Sequence, residues 1–360
     1  MTAYRQAMQE ATLSENGSVD RSKAVGEPLG QRTNAIRWLQ KMVMEKAGEL
    51  PKDFESRTDW ESYRDGLRVE LPRTIGIPEF PPLRDSLVRA HFQVGSSAVC
   101  ERVDVYVDDD YAIPAFVFLP SNPPATPMPG LVWNPGWPED KWKPAYQAFG
   151  VRMAEQGFAV LVLDHAPFGE TSPMKDKADM GMSLLMGMGD VLGVSQLGLR
   201  AAETMRAGEY LRARADVDEN RVAISGLCQG GMDTWLVAAL DERFCAAAPL
   251  CAATTFEIHM VEMASYFANA DSSPFPFGIL NVCDIQHLHA AIAPRPLLVR
   301  ANLGDQWWPM SGFSELERLT RQVYRFYGAE EQVDFRAEVH EHNLTGPFAD
   351  ALESFLLRYV

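Results

Sequence analysis

The 360-residue chain has no apolar run long enough to span a bilayer. It also lacks a basic start followed by an apolar core and a small-residue cleavage site. Residues 1 to 30 are polar throughout, so no secretory signal is expected. Basic residues are in deficit, with 33 Lys and Arg against 49 Asp and Glu and a net charge of −16. Such a field opposes nucleic acid and anionic membranes, and neither is expected as a partner. Cysteine is scarce. The five cysteines, Cys100, Cys228, Cys245, Cys251 and Cys283, are odd in number and contain no C-x-x-C pair. Free thiols and a reducing, cytoplasmic compartment are expected. Cys245 and Cys251 flank an apolar run and are expected in the core. No internal repeat or low-complexity tract is present. Hydrophobic content of 46% and charged content of 23% are ordinary for a globular protein.

The length allows one large α/β domain with additions, or two domains. Residues 1 to about 30 read as an arm or an oligomer contact. Ile36 to Leu50 reads as a helix with Ile36, Leu39, Met42 and Met44 apolar, and Trp60 to Leu71 as a second. Pro72, Pro78, Pro81 and Pro82 are then expected to break regular structure. Residues 1–100 therefore read as a helical extension, which leaves a homodimer open, and 101–360 as the main domain. From about residue 100 strands alternate with helices. Strands are expected at Arg102 to Val107, Ile113 to Leu119, Leu131 to Asn134, Phe158 to Leu163, Arg221 to Ser225, Ala246 to Leu250, Pro296 to Val299 and Val333 to Val339. Helices are expected at Tyr146 to Gln156, Gln196 to Ala213, Gly231 to Leu240, Phe313 to Phe326 and Phe348 to Tyr359. Continuous apolar strands separated by helices predict an α/β fold, a mostly parallel sheet covered on both faces.

The most informative stretch is Val222-Ala-Ile-Ser-Gly226-Leu-Cys228-Gln-Gly230-Gly231. An apolar strand ends in Gly-x-Cys-x-Gly and a helix-compatible run follows, which is the pattern of a nucleophile elbow with cysteine in place of serine. A side chain at Gly226 or Gly230 would crowd the sharp turn. The turn lifts the Cys228 thiol to a helix N-terminus, where the helix field favours a thiolate. Such a nucleophile needs a base and an orienting acid later in the chain, acid first, at strand ends. Asp305 stands just past the strand Pro296-Leu-Leu-Val-Arg300, after the turn-forming Gly304. The last strand runs into His340-Glu-His342-Asn343. His342 lies in the loop before the final helix and is the preferred base, with His340 the alternative. The oxyanion needs two backbone N–H donors. Gln229 follows the nucleophile and supplies the first. In Asn134-Pro-Gly-Trp-Pro138 the two prolines have no N–H, which leaves Trp137 as the second, with Gly136 as fallback.

Three further patterns carry weaker signals. Glu338, His340 and His342 alternate and would share one strand face, a conceivable metal set, but no second cluster supports it and no metal or other cofactor is expected. His287 and His289 read as surface or helix-capping residues. Between Met174 and Met188 the chain carries Met180, Met182, Met186 and Met188. Flexible, polarisable thioethers suit a wall for varied apolar groups, so Met186 and Met188 are candidate substrate contacts.

Taken together the motifs resemble the α/β-hydrolase superfamily, and within it the acetyl-xylan-esterase-like and dienelactone-hydrolase-like branch. The resemblance covers roughly residues 100 to 360, and the preceding helices fit the extension common in that branch. Trp133-Asn-Pro-Gly-Trp137 takes the place of an oxyanion loop that usually carries histidine. Leu163-Asp-His-Ala-Pro-Phe-Gly-Glu170 is similar to the turn after the next strand. Asp218-Glu-Asn-Arg-Val222 leads into the elbow, Ala293-Pro-Arg-Pro-Leu-Leu298 into the acid, and Glu341-His342-Asn343 carries the base. The resemblance implies hydrolysis of a small-molecule carboxylic ester, lactone or thioester by Cys228, His342 and Asp305 through an acyl-enzyme. The alternative it leaves is acyl transfer from a thioester to an amine or alcohol. A binding protein on a retired hydrolase fold is the third reading.

Overall fold

A computed structural model describes residues 35–172, 178–262, 275–305, 307–344 and 346–360. The polar arm at 1–30 and Met174 lie outside the described residues, as do the side chains of Ile36 and Met180. The chain divides into two compact units, Met1–Glu45 and Lys46–Val360. Of the first unit, residues 35–45 are described, and they belong to helix α1, Ala35–Glu49.

In the second unit, helix α2 (Arg57–Thr74) starts on Ser56, whose side chain accepts the Asp59 N–H and so satisfies one orphan donor of the first turn. The helix runs through Pro72 to Thr74 instead of ending before it. Among the described residues nine strands then form one sheet, in the order β1-β2-β3-β5-β4-β6-β7-β8-β9. The strands are β1 (Leu87–Val94), β2 (Ala98–Tyr106), β3 (Ala112–Pro120), β4 (Met128–Asn134), β5 (Ala159–Leu163), β6 (Val217–Leu227), β7 (Ala247–Leu250), β8 (Leu297–Asn302) and β9 (Val333–Glu338). Pairings from β1 to β5 through β2 and β3 are antiparallel, and those from β5 to β9 are parallel. The sheet thus begins at Leu87, ahead of the expected boundary at residue 100. Strand β1 lies at the edge with most of its residues exposed, so it lacks the apolar pattern that marks a strand in sequence.

The connecting helices are α3 (Pro144–Glu155), α4 (Ala178–Leu192), α5 (Gln196–Ala213), α6 (Gln229–Leu240), α7 (Phe256–Glu262), α8 (Ile285–Ala290), α9 (Phe313–Phe326) and α10 (Gly346–Tyr359). They cover both faces because the central strands are apolar on both. In β4, Val132 points into one core with Leu161, Ile224 and Val299, where α2, α5, α6 and α9 pack. Its neighbours Leu131 and Trp133 point into the other, with Val160 and Val162, under α3 and α10. That alternation is the two-residue period of a strand. Helix α9 buries Leu316, Leu319, Thr320, Val323 and Tyr324, the i, i+3, i+4, i+7 spacing of one helical face. Among the described residues no single helix is long and apolar enough to cross a membrane.

Candidate active site

Strands β4 and β6 to β9 run parallel, so their C-terminal ends share one edge of the sheet. In open α/β sheets this is the edge that holds ligands. At the end of β6 the chain turns into α6 through Cys228, with φ 59° and ψ −119°. A positive φ at a residue bearing a side chain is a strained conformation. It is possible here because the flanking glycines leave room. A Cβ on Gly230 would stand 1.9 Å from the Asn134 carbonyl oxygen, and one on Gly226 would stand 2.3 Å from the Gly230 oxygen. The Cys228 N–H donates to Leu250 O at 2.9 Å, which fixes the turn to β7.

Asp305 follows β8. Its carboxylate accepts the Trp307 N–H on Oδ1 at 2.9 Å, and Oδ2 lies 2.8 Å from Nδ1 of His342. The Asp305 side chain is 1% exposed and that of His342 22%, so the pair is set into the edge with the ring open to one side. Burial lowers the proton affinity of the His342 ring. Hydrogen bonds to Asp305, Cys228 and Cys251 outweigh that loss and raise the ring well above the usual imidazole range. The structure therefore brings Cys228, His342 and Asp305 together. His340 instead packs its ring on Phe348, 4.4 Å between centroids. The Asn302 side-chain oxygen joins the ends of β8 and β9 by accepting the N–H groups of Gly304 at 3.1 Å and His340 at 3.3 Å.

The loop after β4 lies over the turn. A Cβ on Gly136 would stand 3.4 Å from Cβ of Cys228. The Gly136 N–H donates to Tyr146 Oη at 3.3 Å and is thus engaged within the loop. Gln229 is the first residue of α6, and the N–H of a first-turn residue has no acceptor within its helix.

A buried polar network holds this loop from below. The Asn134 side-chain amide donates to Ser225 O at 3.3 Å, and its carbonyl accepts from Thr204 Oγ1 at 2.7 Å and faces His165 Nε2 at 3.1 Å. On the other side of the ring, His165 Nδ1 lies 2.6 Å from Glu203 Oε2. Burial holds His165 well below the usual imidazole range and pushes Glu203 up to about 8. One assignment satisfies every member: the Glu203 carboxyl donates to Nδ1, Nε2–H donates to Asn134, and Tyr111 Oη and the Ala166 N–H donate to Glu203 Oε1. Alongside, the wholly buried Arg200 pairs with Asp233 of α6 at 2.6 to 3.2 Å and donates to Pro135 O at 2.9 Å. Arg200 thereby ties the loop to the helix that Cys228 opens into. In the turn after β5, Asp164 and Glu170 both bind the buried Lys141 ammonium, Glu170 at 2.7 Å.

Other expectations fare differently. Met182 is buried, Met186 half-buried and Met188 58% exposed, all on α4. Met188 lines a shallow recess with Leu184, Val191 and Leu192. His287 does cap a helix, since its Nδ1 accepts the Asp284 N–H at 3.1 Å, but it is buried and not on the surface. Metal-ligand spacing among the described residues falls on Cys251, Asp305 and His342, not on Glu338 and His340. Cys251 is buried, as expected of a core residue, yet it also meets the His342 ring. Its place next to Cys228 follows from the pairing of β6 with β7. Sequence spacing carries no trace of that pairing, nor of the burial of Arg200, Glu203 and Asp233.

No protein-family model matches the chain. "Putative hydrolase YtaP" of Bacillus subtilis (strain 168) is 25% identical over 185 residues, which are 51% of this chain and 58% of that protein. The chain thus matches little more than half the length of this curated relative. Among solved structures it is similar to a "putative acetyl xylan esterase" from Bacteroides fragilis NCTC 9343, with a TM-score of 0.67 and 17% identity, covering 90% of this chain and 86% of the other. It is also similar to a glucuronoyl esterase from Solibacter usitatus, with a TM-score of 0.62 and 15% identity, covering 82% and 91%. At these identities the likeness establishes the fold, an α/β-hydrolase sheet flanked by helices.

Proposed function

We propose that this protein is a carboxylic ester hydrolase that works through a Cys228 acyl-enzyme. One observation carries the reading. A thiol on a strained strand-to-helix turn meets an imidazole whose far nitrogen is held 2.8 Å from a buried carboxylate. The raised proton affinity of His342 suits the ring to take the Cys228 thiol proton as the sulfur attacks. The thiolate adds to the ester carbonyl, and the N–H groups of Gln229 and Trp137 take the oxyanion. Loss of one such donor would cost about 3 kcal/mol of transition-state stabilisation. Collapse expels the alkoxide, which receives the imidazolium proton. The now neutral ring accepts a proton from water as that water attacks the thioester, and the thiolate departs. Asp305 holds the ring tautomer and balances the imidazolium charge throughout.

Thiolate is a better leaving group than an unprotonated amine, so the adduct formed on an amide tends to expel thiolate and return to substrate. Esters, lactones and thioesters avoid that return. The names of the two esterase neighbours point to the same bond. Met186 and Met188 form the apolar wall in this reading, and Met186→Ala with Met188→Ala is expected to shift the preferred acyl length. An unchanged preference would remove them from the site.

The decisive experiment is a screen of ester, lactone and thioester libraries with wild type and Cys228→Ala. Turnover that disappears in the variant, with iodoacetamide labelling Cys228 first, supports the reading. Full turnover in Cys228→Ala ends it.

A further inference from the structure

The reaction above uses one of two thiols that meet the His342 ring. Cys251 follows β7 directly and lies beside Cys228, because Leu227 and Leu250 are register partners on adjacent parallel strands. Its Sγ, a carboxylate oxygen of Asp305 and a ring nitrogen of His342 all lie within 4.8 Å of one another. We propose that Cys251, Asp305 and His342 form a binding site for a thiophilic divalent cation, zinc above all, whose occupancy switches the hydrolase off. The inhibition rests on the esterase reading, while the binding stands without it.

The donor chemistry selects the ion. Zinc takes thiolate, imidazole and carboxylate at about 2.0 to 2.3 Å, which sets ligand atoms roughly 3 to 4 Å apart. Closing from the observed spacing needs side-chain movements on the order of 1 Å. One thiolate and one carboxylate balance the two positive charges, and the ring joins as a neutral ligand. Three protein ligands leave a fourth position for water on the side where His342 is open. Magnesium and calcium take oxygen ligands and have no use for a thiolate. The Asp305 carboxylate is also oriented from behind, by the Trp307 N–H at 2.9 Å, as ligating carboxylates commonly are.

Binding removes the base whichever ring nitrogen coordinates. The Cys251 thiol and one ring N–H of His342 each release a proton to solvent, so the sulfur binds as thiolate and the ring as neutral imidazole. If the cation takes Nδ1, the ring proton sits on Nε2. If it takes Nε2, the lone pair that serves Cys228 and water is occupied.

The test uses the chelator-treated full chain titrated with cobalt(II), whose thiolate charge-transfer band reports the site directly. One equivalent should raise that band, and zinc should erase it. Zinc should suppress ester turnover over the same concentrations, with recovery on adding chelator, and magnesium should do neither. In Cys251→Ser the band should vanish and zinc affinity should fall by about 100-fold or more, since losing an outer partner alone costs 10- to 100-fold. In Cys228→Ala, which has no turnover to inhibit, the band should persist. Absence of the band in wild type, its survival in Cys251→Ser or its loss in Cys228→Ala would each overturn the proposal. A normal band in a protein that cleaves no ester would instead sink the esterase reading.

Discussion

Replacing Arg200 with methionine is the sharpest perturbation available to this architecture. The guanidinium and its partner Asp233 are both wholly buried, joined by three hydrogen bonds, with a fourth to Pro135 O. Methionine keeps most of the volume but leaves a carboxylate unpaired in the core. Breaking a buried pair from one side costs about 3–5 kcal/mol, and the orphaned Pro135 carbonyl adds roughly 1–3 kcal/mol. At about 2 °C per kcal/mol for a domain of this size, the melting temperature should fall by roughly 8–16 °C. Methionine at 200 with leucine at 233 removes both charges, and such exchanges are often neutral. The double variant should therefore recover most of the loss. Ester turnover should not recover with it, because the link from Pro135 to α6 is gone in both. The assays are thermal denaturation followed by circular dichroism, and kcat and KM on one activated ester. An Arg200→Met protein as stable as wild type, or a double variant less stable than the single, would refute the reasoning.

Two further outcomes follow from the same geometry. Gly230→Ala places a methyl 1.9 Å from the Asn134 carbonyl. Neither backbone can yield cheaply, so kcat should fall at least about tenfold with a stability loss of roughly 1–3 kcal/mol, read by kinetics and denaturation together. Glu203, pushed up to about 8 by burial, keeps its proton when folded and loses it near pH 4.3 when unfolded. Its contribution to stability therefore falls as pH rises from roughly 4.3 to 8. His165, lowered by burial, works in the opposite sense up to about pH 6.5. The melting temperature should consequently drop between about pH 6.5 and 8 in wild type, and Glu203→Gln should flatten that drop in a pH series of thermal scans.

The elbow was legible because its constraint is local. Glycines two before and two after Cys228 answer a steric demand within five residues. The parallel character of the sheet was legible because buried strands are apolar on both faces and read as continuous runs. Asp305 and His342 could be placed at strand ends by chain order, and the loop position already favoured His342 over His340; the hydrogen bond to Asp305 and the packing of His340 on Phe348 are what the fold adds. Strand β1 escaped notice because an exposed edge strand has no apolar face to show. Pro72 looked like a stop, yet α2 runs on through it to Thr74, and the Ile75 N–H closes on Leu71 O at 3.0 Å. Cys251 and Arg200 were out of reach for another reason. Their importance lies in which neighbours a sheet and a helix pair supply, and that is decided by partners tens or hundreds of positions away.

Gly230 and Asn134 touch so closely that the stretches 134–137 and 226–230 behave as a single casting. Remodelling the proposed site would therefore leave both stretches alone, and with them Leu250 and Ala252, against which a Cβ on Gly231 would stand at 2.8 and 2.6 Å. Transplanting Cys228 to another scaffold would require moving the two pieces as one.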